Sequence, residues 1–162
     1  VKKPLVYLAG GIEKRADHGM TWRRLITPKL EKLGYEVFNP CFNDNDIFKK
    51  YDTTLENLKE QNKSFIVELS KKIGRDIVNY DLEIIRRCDV LIAYYDESVN
   101  QSSGTVSEMT AIQLLNQINE KKKIPVYAIR NIPYRDIPTW TMGCVDKFFN
   151  TIDECIDYMK EY

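Results

Sequence analysis

The chain is poor in the residue types that build metal centres and disulfide scaffolds. It has one histidine, His18, and four scattered cysteines, Cys41, Cys88, Cys144 and Cys155, with no CxxC pair among them. That distribution argues against a zinc site and against a disulfide framework, and it suits a reducing cytoplasm. An excess of one charge is missing as well: 24 Lys+Arg balance 24 Asp+Glu. The electrostatic case for a nucleic-acid polymer or a membrane surface as partner falls away, and a small molecule is the expected partner. No apolar run is long enough to span a bilayer, and the first residues (VKKPLVYLAGG) lead into a strand, so no signal peptide is expected. Internal repeats and low-complexity tracts are also lacking. What remains, 162 residues with 43% hydrophobic and 30% charged, has the composition of a single globular domain, 1–162, with an ordinary core.

Strands and helices alternate along it. Pro4 to Ala9 (PLVYLA) reads as a first strand ending in Gly10-Gly11, a pair that permits a sharp turn and close approach of a ligand to the backbone. Thr21 is the expected cap of a helix through Leu33, with Trp22, Leu25, Ile26, Leu30 and Leu33 at roughly helical spacing and Gly34 stopping it. Tyr35 to Phe38 is a second strand. Residues 41–75 are polar, with two weak helical patterns around Leu55–Asn62 and Phe65–Ile73; so long a connection reads as an insertion, either a lid, a subunit contact or a passive surface excursion. Asp76 then reads as the cap of a helix to about Cys88. Val90–Tyr94, apolar throughout, is a strand buried on both faces. A polar loop, a helix from Gly104 to about Glu120, a basic turn (Lys121–Lys123), a strand Ile124–Ile129, a Pro-punctuated loop, a short strand near Val145–Phe149 and a closing helix Ile152–Met159 complete the chain. The alternation implies an α/β doubly wound, flavodoxin-like parallel sheet of five strands in the order 2-1-3-4-5. In that order strands one and three meet at a topological switch point, where ligands bind beyond the carboxyl ends of the strands. Gly10-Gly11 and the Ser102–Glu108 turn are expected to face one crevice there.

Two carboxylates fall inside apolar stripes. Asp81 lies three and four residues from Ile77, Val78, Ile84 and Ile85, and Glu108 shares a face with Ala111, Ile112 and Leu115. An ionised carboxylate on a buried face costs several kcal/mol unless it is paired or hydrogen-bonded. Two readings of Glu108 are open. Thr105-Val106-Ser107-Glu108 fits a capping box, with the glutamate bonding back to its own backbone. Alternatively the carboxylate is held ionised in a dry site, as a nucleophile toward an anomeric carbon. Tyr7, on the first strand, reads either as an orienting hydroxyl for Glu108 or as a half-buried strand aromatic. His18 has no neighbours that would make a catalytic triad.

The motifs VYLAGGI, Trp22-Arg23, EVFNP, IVNYDLEIIRRCDVLIAYYD and GTVSEMTAI, with IPTWTMGCVDKF late in the chain, together resemble the nucleoside 2-deoxyribosyltransferase family over nearly the whole sequence outside 41–75. The resemblance implies cleavage of an N-glycosidic bond. Glu108 matches the nucleophilic glutamate of the family's G-x-x-x-E turn, Asp81 the aspartate that holds the sugar and assists proton transfer to the base, and Tyr7 the tyrosine that positions the glutamate. It further implies transfer of the deoxyribosyl group to a second nucleobase, no metal or organic cofactor, and association into homo-oligomers in which a C-terminal residue completes a neighbour's site, with Tyr162 the candidate. Gly10, Gly11, Ser102, Ser103 and Gly104 are expected against the substrate, and Trp140 either stacks on the base or plugs the core. One departure stands out: Ser102 occupies a place where well-known transferases carry an acid that contacts the base. Serines at a helix N-terminus also suit phosphate, so the related nucleoside 5′-monophosphate N-glycosidases, which let water attack, are the alternative, with Lys14, Arg15 and Arg23 as charges for the phosphate. A non-catalytic nucleotide-binding module is the third reading. A magnesium-dependent phosphoacceptor domain is set aside, because Gly10-Gly11 stands where its acidic cluster belongs.

Overall fold

Five short segments, Leu5–Gly10 (β1), Glu36–Phe38 (β2), Val90–Tyr95 (β3), Val126–Arg130 (β4) and Lys147–Phe149 (β5), pair into one all-parallel sheet in the order β2-β1-β3-β4-β5. They are seen in a computed structural model that describes residues 2–60, 64–119 and 122–161. The sheet is flanked by helices on both faces, as the flavodoxin-like reading expects. β1 and β3 are neighbours, with Val6 opposite Val90, Leu8 opposite Ile92 and Gly10 opposite Tyr94. Side chains alternate across the sheet. Val6, Leu8, Val90 and Ile92 face Trp22, Ile26 and Leu30 of α1 (Met20–Lys32) and Cys155, Ile156 and Met159 of α8 (Ile152–Met159). Tyr7, Ala9, Leu91 and Ala93 face Ile84, Ile85 and Cys88 of α4 (Ser64–Arg87) and Met109 and Ile112 of α6 (Gly104–Ile118). The chain therefore leaves β1 toward one face and β3 toward the other, which opens a crevice between their carboxyl ends.

Several local expectations change. Residues 41–75, read as an insertion after the second strand, are largely helical among the described residues. They supply α2 (Pro40–Lys50), α3 (Leu55–Glu60) and the first part of α4, which runs through Asp76 without a break. Asp76 is a mid-helix latch instead of a cap, accepting from Lys50 Nζ at 2.8 Å and the Tyr51 hydroxyl at 2.9 Å. α2 packs against α4, and Asn39 caps α2 by accepting from the Cys41 N–H at 3.1 Å. α1 starts at Met20 behind a left-handed Gly19, and Asp17, not Thr21, serves its first turn by accepting from the N–H groups of Gly19 and Thr21. Leu25 of α1 faces solvent while Arg23 is fully buried. The loop after β3 contains a short helix, α5 (Glu97–Asn100), capped by Asp96, and the Pro-rich loop contains α7 (Thr139–Cys144). Among the described residues no helix is long and apolar enough to cross a membrane. Glu120, Lys121 and Tyr162 lie outside the described residues.

Candidate active site

Glu108 sits in the second turn of α6, and its carboxylate does not fold back onto its own backbone. The helix begins at Gly104 with Ser103 at the cap and no side-chain capping bond. Thr105 is buried within the first turn instead of preceding it. Glu108 Oε1 accepts from the Tyr7 hydroxyl of β1 at 2.9 Å. The capping-box reading is thereby overturned. Asp81, on the neighbouring α4, is buried and also within reach of the Tyr7 hydroxyl. A phenol has one proton to give, and Glu108 takes it, which leaves Asp81 Oδ1 sealed from solvent with no hydrogen-bond partner. Such an atom in a native fold needs a ligand or a proton to explain it.

Both carboxyl groups line one cavity of about 1000 Å³ at the carboxyl end of the sheet, together with Gly10, Gly11, Ser102, Ser103, Gly104, Thr105 and Ser107. Gly11 is required by space: a Cβ there would collide with Ser98 Oγ and lie 3.0 Å from Ser98 Cβ. The structure thus brings together Tyr7, Gly10, Gly11, Asp81, Ser102, Ser103, Gly104 and Glu108.

Arg23 and Trp140 are placed differently from expectation. Arg23 is a structural cation: Nε and Nη2 donate to the Leu8 carbonyl, Nη2 also to that of Gly10, and Nη1 to that of Gly19 at 2.8 Å. It pins the end of β1 to the start of α1 and does not line the cavity. The same packing explains Gly19, where positive φ is needed and a Cβ would strike the guanidinium. Trp140 is neither plug nor cavity wall; it is 67% exposed on α7, donating from Nε1 to Thr110 Oγ1 at 3.0 Å. Arg15 is committed to Asp17 and Asp96, so of the three basic residues expected near a phosphate only Lys14 lines the cavity.

Burial dominates the electrostatics. It raises Glu108 to about 7, helped by the charge of Asp81 and opposed by the Tyr7 hydrogen bond and Arg23. Burial likewise raises Asp81 to about 6, against Tyr7 and Arg23. The Tyr7 phenol is pushed well above its ordinary range by burial and by the two acids beside it, so it remains a donor. Near neutrality the pair shares protons, the condition for one group to act as acid while the other is ionised. Among the described residues no group of three or more His, Cys, Asp and Glu side chains is placed to hold a metal ion.

Asp44 was not foreseen. It projects from α2 into the same cavity, and burial, with Asp81 adding, raises it to about 7. The signal was available: Cys41, Asp44 and Phe48 are spaced for one helical face, and Cys41 and Phe48 are buried. An acid in an apolar stripe is the feature that marked Asp81 and Glu108.

No protein-family model matches this chain, and no curated protein matches it.

Proposed function

We propose that the protein cleaves the N-glycosidic bond of a (deoxy)nucleoside through a covalent glycosyl intermediate on Glu108 and transfers the deoxyribosyl group to another nucleobase. The observation that carries this reading is that Glu108 and Asp81 line one cavity, with Glu108 oriented from behind by the Tyr7 hydroxyl at 2.9 Å. It agrees with the family resemblance of the sequence. In the first step a Glu108 oxygen bonds to C1′ as the bond from C1′ to the base nitrogen breaks, and Asp81 gives a proton to the departing base. In the second step a new base bonds to C1′ from the vacated side, the ester to Glu108 breaks, and Asp81 takes up the proton the incoming base loses. Two inversions give net retention. Tyr7 holds the attacking carboxylate in line through its hydroxyl. The substrates are small molecules, no cofactor takes part, and assembly into homo-oligomers belongs to the proposal through the resemblance. Four free, buried cysteines suit a reducing cytoplasm and a place in nucleotide salvage.

A second reading, hydrolysis of a nucleoside 5′-monophosphate, draws on one feature: Ser102, Ser103 and Ser107 line the cavity at the N-terminus of α6, with Lys14 on the rim. Incubating a deoxynucleoside with a different free base, and separately a deoxynucleoside monophosphate alone, separates the two. A new nucleoside supports transfer; base released only from the phosphate supports hydrolysis. Neither product, with tight binding retained, supports a non-catalytic nucleotide-binding module.

A further inference from the structure

The reaction proposed above leaves Asp44 without work. Asp44 stands on the inner face of α2 between Cys41 and Phe48, all three lining the cavity. Its Oδ1 is sealed from solvent and has no hydrogen-bond partner, as is true of Asp81 Oδ1 on the adjoining α4. Three cations of α1 and α2 have other partners. Arg23 is bound to three backbone carbonyls, Lys50 pairs with Asp76 at 2.8 Å, and Lys49 lies 3.5 Å from Asp46. The cavity wall includes the apolar side chains of Pro40, Phe48, Leu55 and Ile77, suited to the faces of a flat ring.

We propose that Asp44, acting with Asp81, selects the nucleobase: the two carboxylates form an acceptor-only wall that takes bases bearing an exocyclic amino group and turns away those presenting a carbonyl in its place. The inference rests on the proposed nucleoside reading of the site. Its physical basis is that an ionised carboxylate only accepts hydrogen bonds. An amino group offers two N–H donors, one for each acid, and so satisfies both orphaned oxygens. A base with a carbonyl in that place brings at most its one neighbouring ring N–H and sets the carbonyl oxygen against the other carboxylate, leaving a buried acceptor unpaired, which is how polar sites reject the wrong partner most strongly. The titratable and charged groups that interact electrostatically with Asp44 are Asp81 from α4, Glu108 from α6, Tyr7 from β1, Arg23 from α1 and Glu13 from the loop after β1, with Cys41 on its own helix. Because burial raises both Asp44 and Asp81, the wall is acceptor-only on the alkaline side of neutrality. In acid, protonated carboxyls donate and the selectivity fades.

The test uses paired ligands in which the amino group is exchanged for a carbonyl and the adjoining ring nitrogen changes from acceptor to N–H donor, deoxyadenosine against deoxyinosine and deoxycytidine against deoxyuridine. They are bound at pH 8 to protein carrying Glu108→Gln so that no turnover intervenes. The expected result is at least about tenfold tighter binding of the amino member of each pair, a difference of about 1.4 kcal/mol. Asp44→Ala should bring the ratio to within about threefold, and Asp44→Asn, whose amide can donate, should move preference toward the carbonyl members. A merely structural Asp44 would lower all four affinities together. Equal binding within each pair, absence of binding by all four, or a preference untouched by Asp44→Ala overturns the assignment. Turnover by the unsubstituted protein is assayed separately. Base discrimination without turnover keeps Asp44 as selector and removes the reaction; equal turnover of amino and carbonyl substrates with equal binding keeps the reaction and removes the selector.

Discussion

The chain contains two helix starts with the same local pattern, Thr105-x-x-Glu108 and Thr151-x-x-Glu154, and uses them in opposite ways. At the start of α8, Thr151 is the cap and its side chain accepts from the Glu154 N–H at 3.1 Å. Glu154 in turn accepts from the Asn150 N–H at 2.8 Å. Every partner there is local backbone or a neighbouring amide, in contact with water. At the start of α6 the helix begins one residue before the threonine instead of one after it, the threonine is swallowed by the first turn, and the glutamate reaches across to a tyrosine on β1. One glutamate stabilises its own helix; the other is held away from backbone donors and raised to about 7 by burial. The difference comes from tertiary context. α8 packs with Cys155, Ile156 and Met159 against the sheet and leaves Glu154 outside, whereas α6 meets α4 over the switch point and turns Glu108 inward.

The widest separation between the two glutamates is in activity. Glu108→Gln removes the nucleophile and should lower kcat/KM by on the order of 10⁴ or more, while Glu154→Ala leaves it within about twofold; steady-state kinetics on a deoxynucleoside measures both. Equal losses would erase the contrast. Next in size, Asp81→Asn should cost about 10²–10³ in kcat, the range for a lost general acid. It should also flatten a pH–rate profile that in the unsubstituted protein is bell-shaped between about 6 and about 7, the values to which burial raises Asp81 and Glu108. An unchanged profile would place the proton transfer elsewhere.

Stability carries a third contrast. Glu108, Asp81 and Asp44 hold protons in the folded state at pH values where an unfolded chain has released them. Their raised values therefore favour the folded state below about pH 4, and that contribution is lost as pH rises through about 6 to 7. Between pH 5.5 and 8 the protein should lose on the order of 2 kcal/mol, after allowance for water in the cavity. Substituting all three acids by their amides should remove most of that slope in denaturant titrations. Asp89, at the opposite end of the sheet, has the reverse sign. Burial raises it, but hydrogen bonds from Lys122 and the Leu5 N–H prevail and hold it below its ordinary range. It therefore favours folding above about pH 4 and ceases to do so in acid. The smallest effect belongs to the other helix start: Glu154→Ala should cost about 1 kcal/mol of stability in denaturant titrations, a typical lost capping interaction.

Periodicity made most of the fold legible. Apolar β1, β3 and β4 and the stripe Ile84, Ile85, Cys88 leave little freedom in layer or order. Asp81 and Glu108 were legible because an acid in such a stripe conflicts with its surroundings. What escaped has particular causes. Asp76 looks like a cap, yet α4 runs through it, with its carboxylate taken by Lys50 and Tyr51. That false boundary divided α4 in two. Arg23 and Leu25 are two positions apart on α1, and hydropathy alone chooses the leucine for the core. The choice is reversed by unpaired carbonyls at the end of β1, which only the folded chain brings to the guanidinium. Trp140 rides on α7 away from the cavity, an arrangement that a Pro-rich loop does not announce.

The central claim, that Glu108 forms a bond to the sugar, is tested most directly by quenching the protein in acid during turnover of a deoxynucleoside and weighing it intact, then locating any added mass by peptide mapping. The account predicts a gain of one deoxyribosyl group on the peptide containing Glu108, lost on addition of a second base and absent from Glu108→Gln. Turnover with no adduct at Glu108, or with the sugar on another residue, would contradict it.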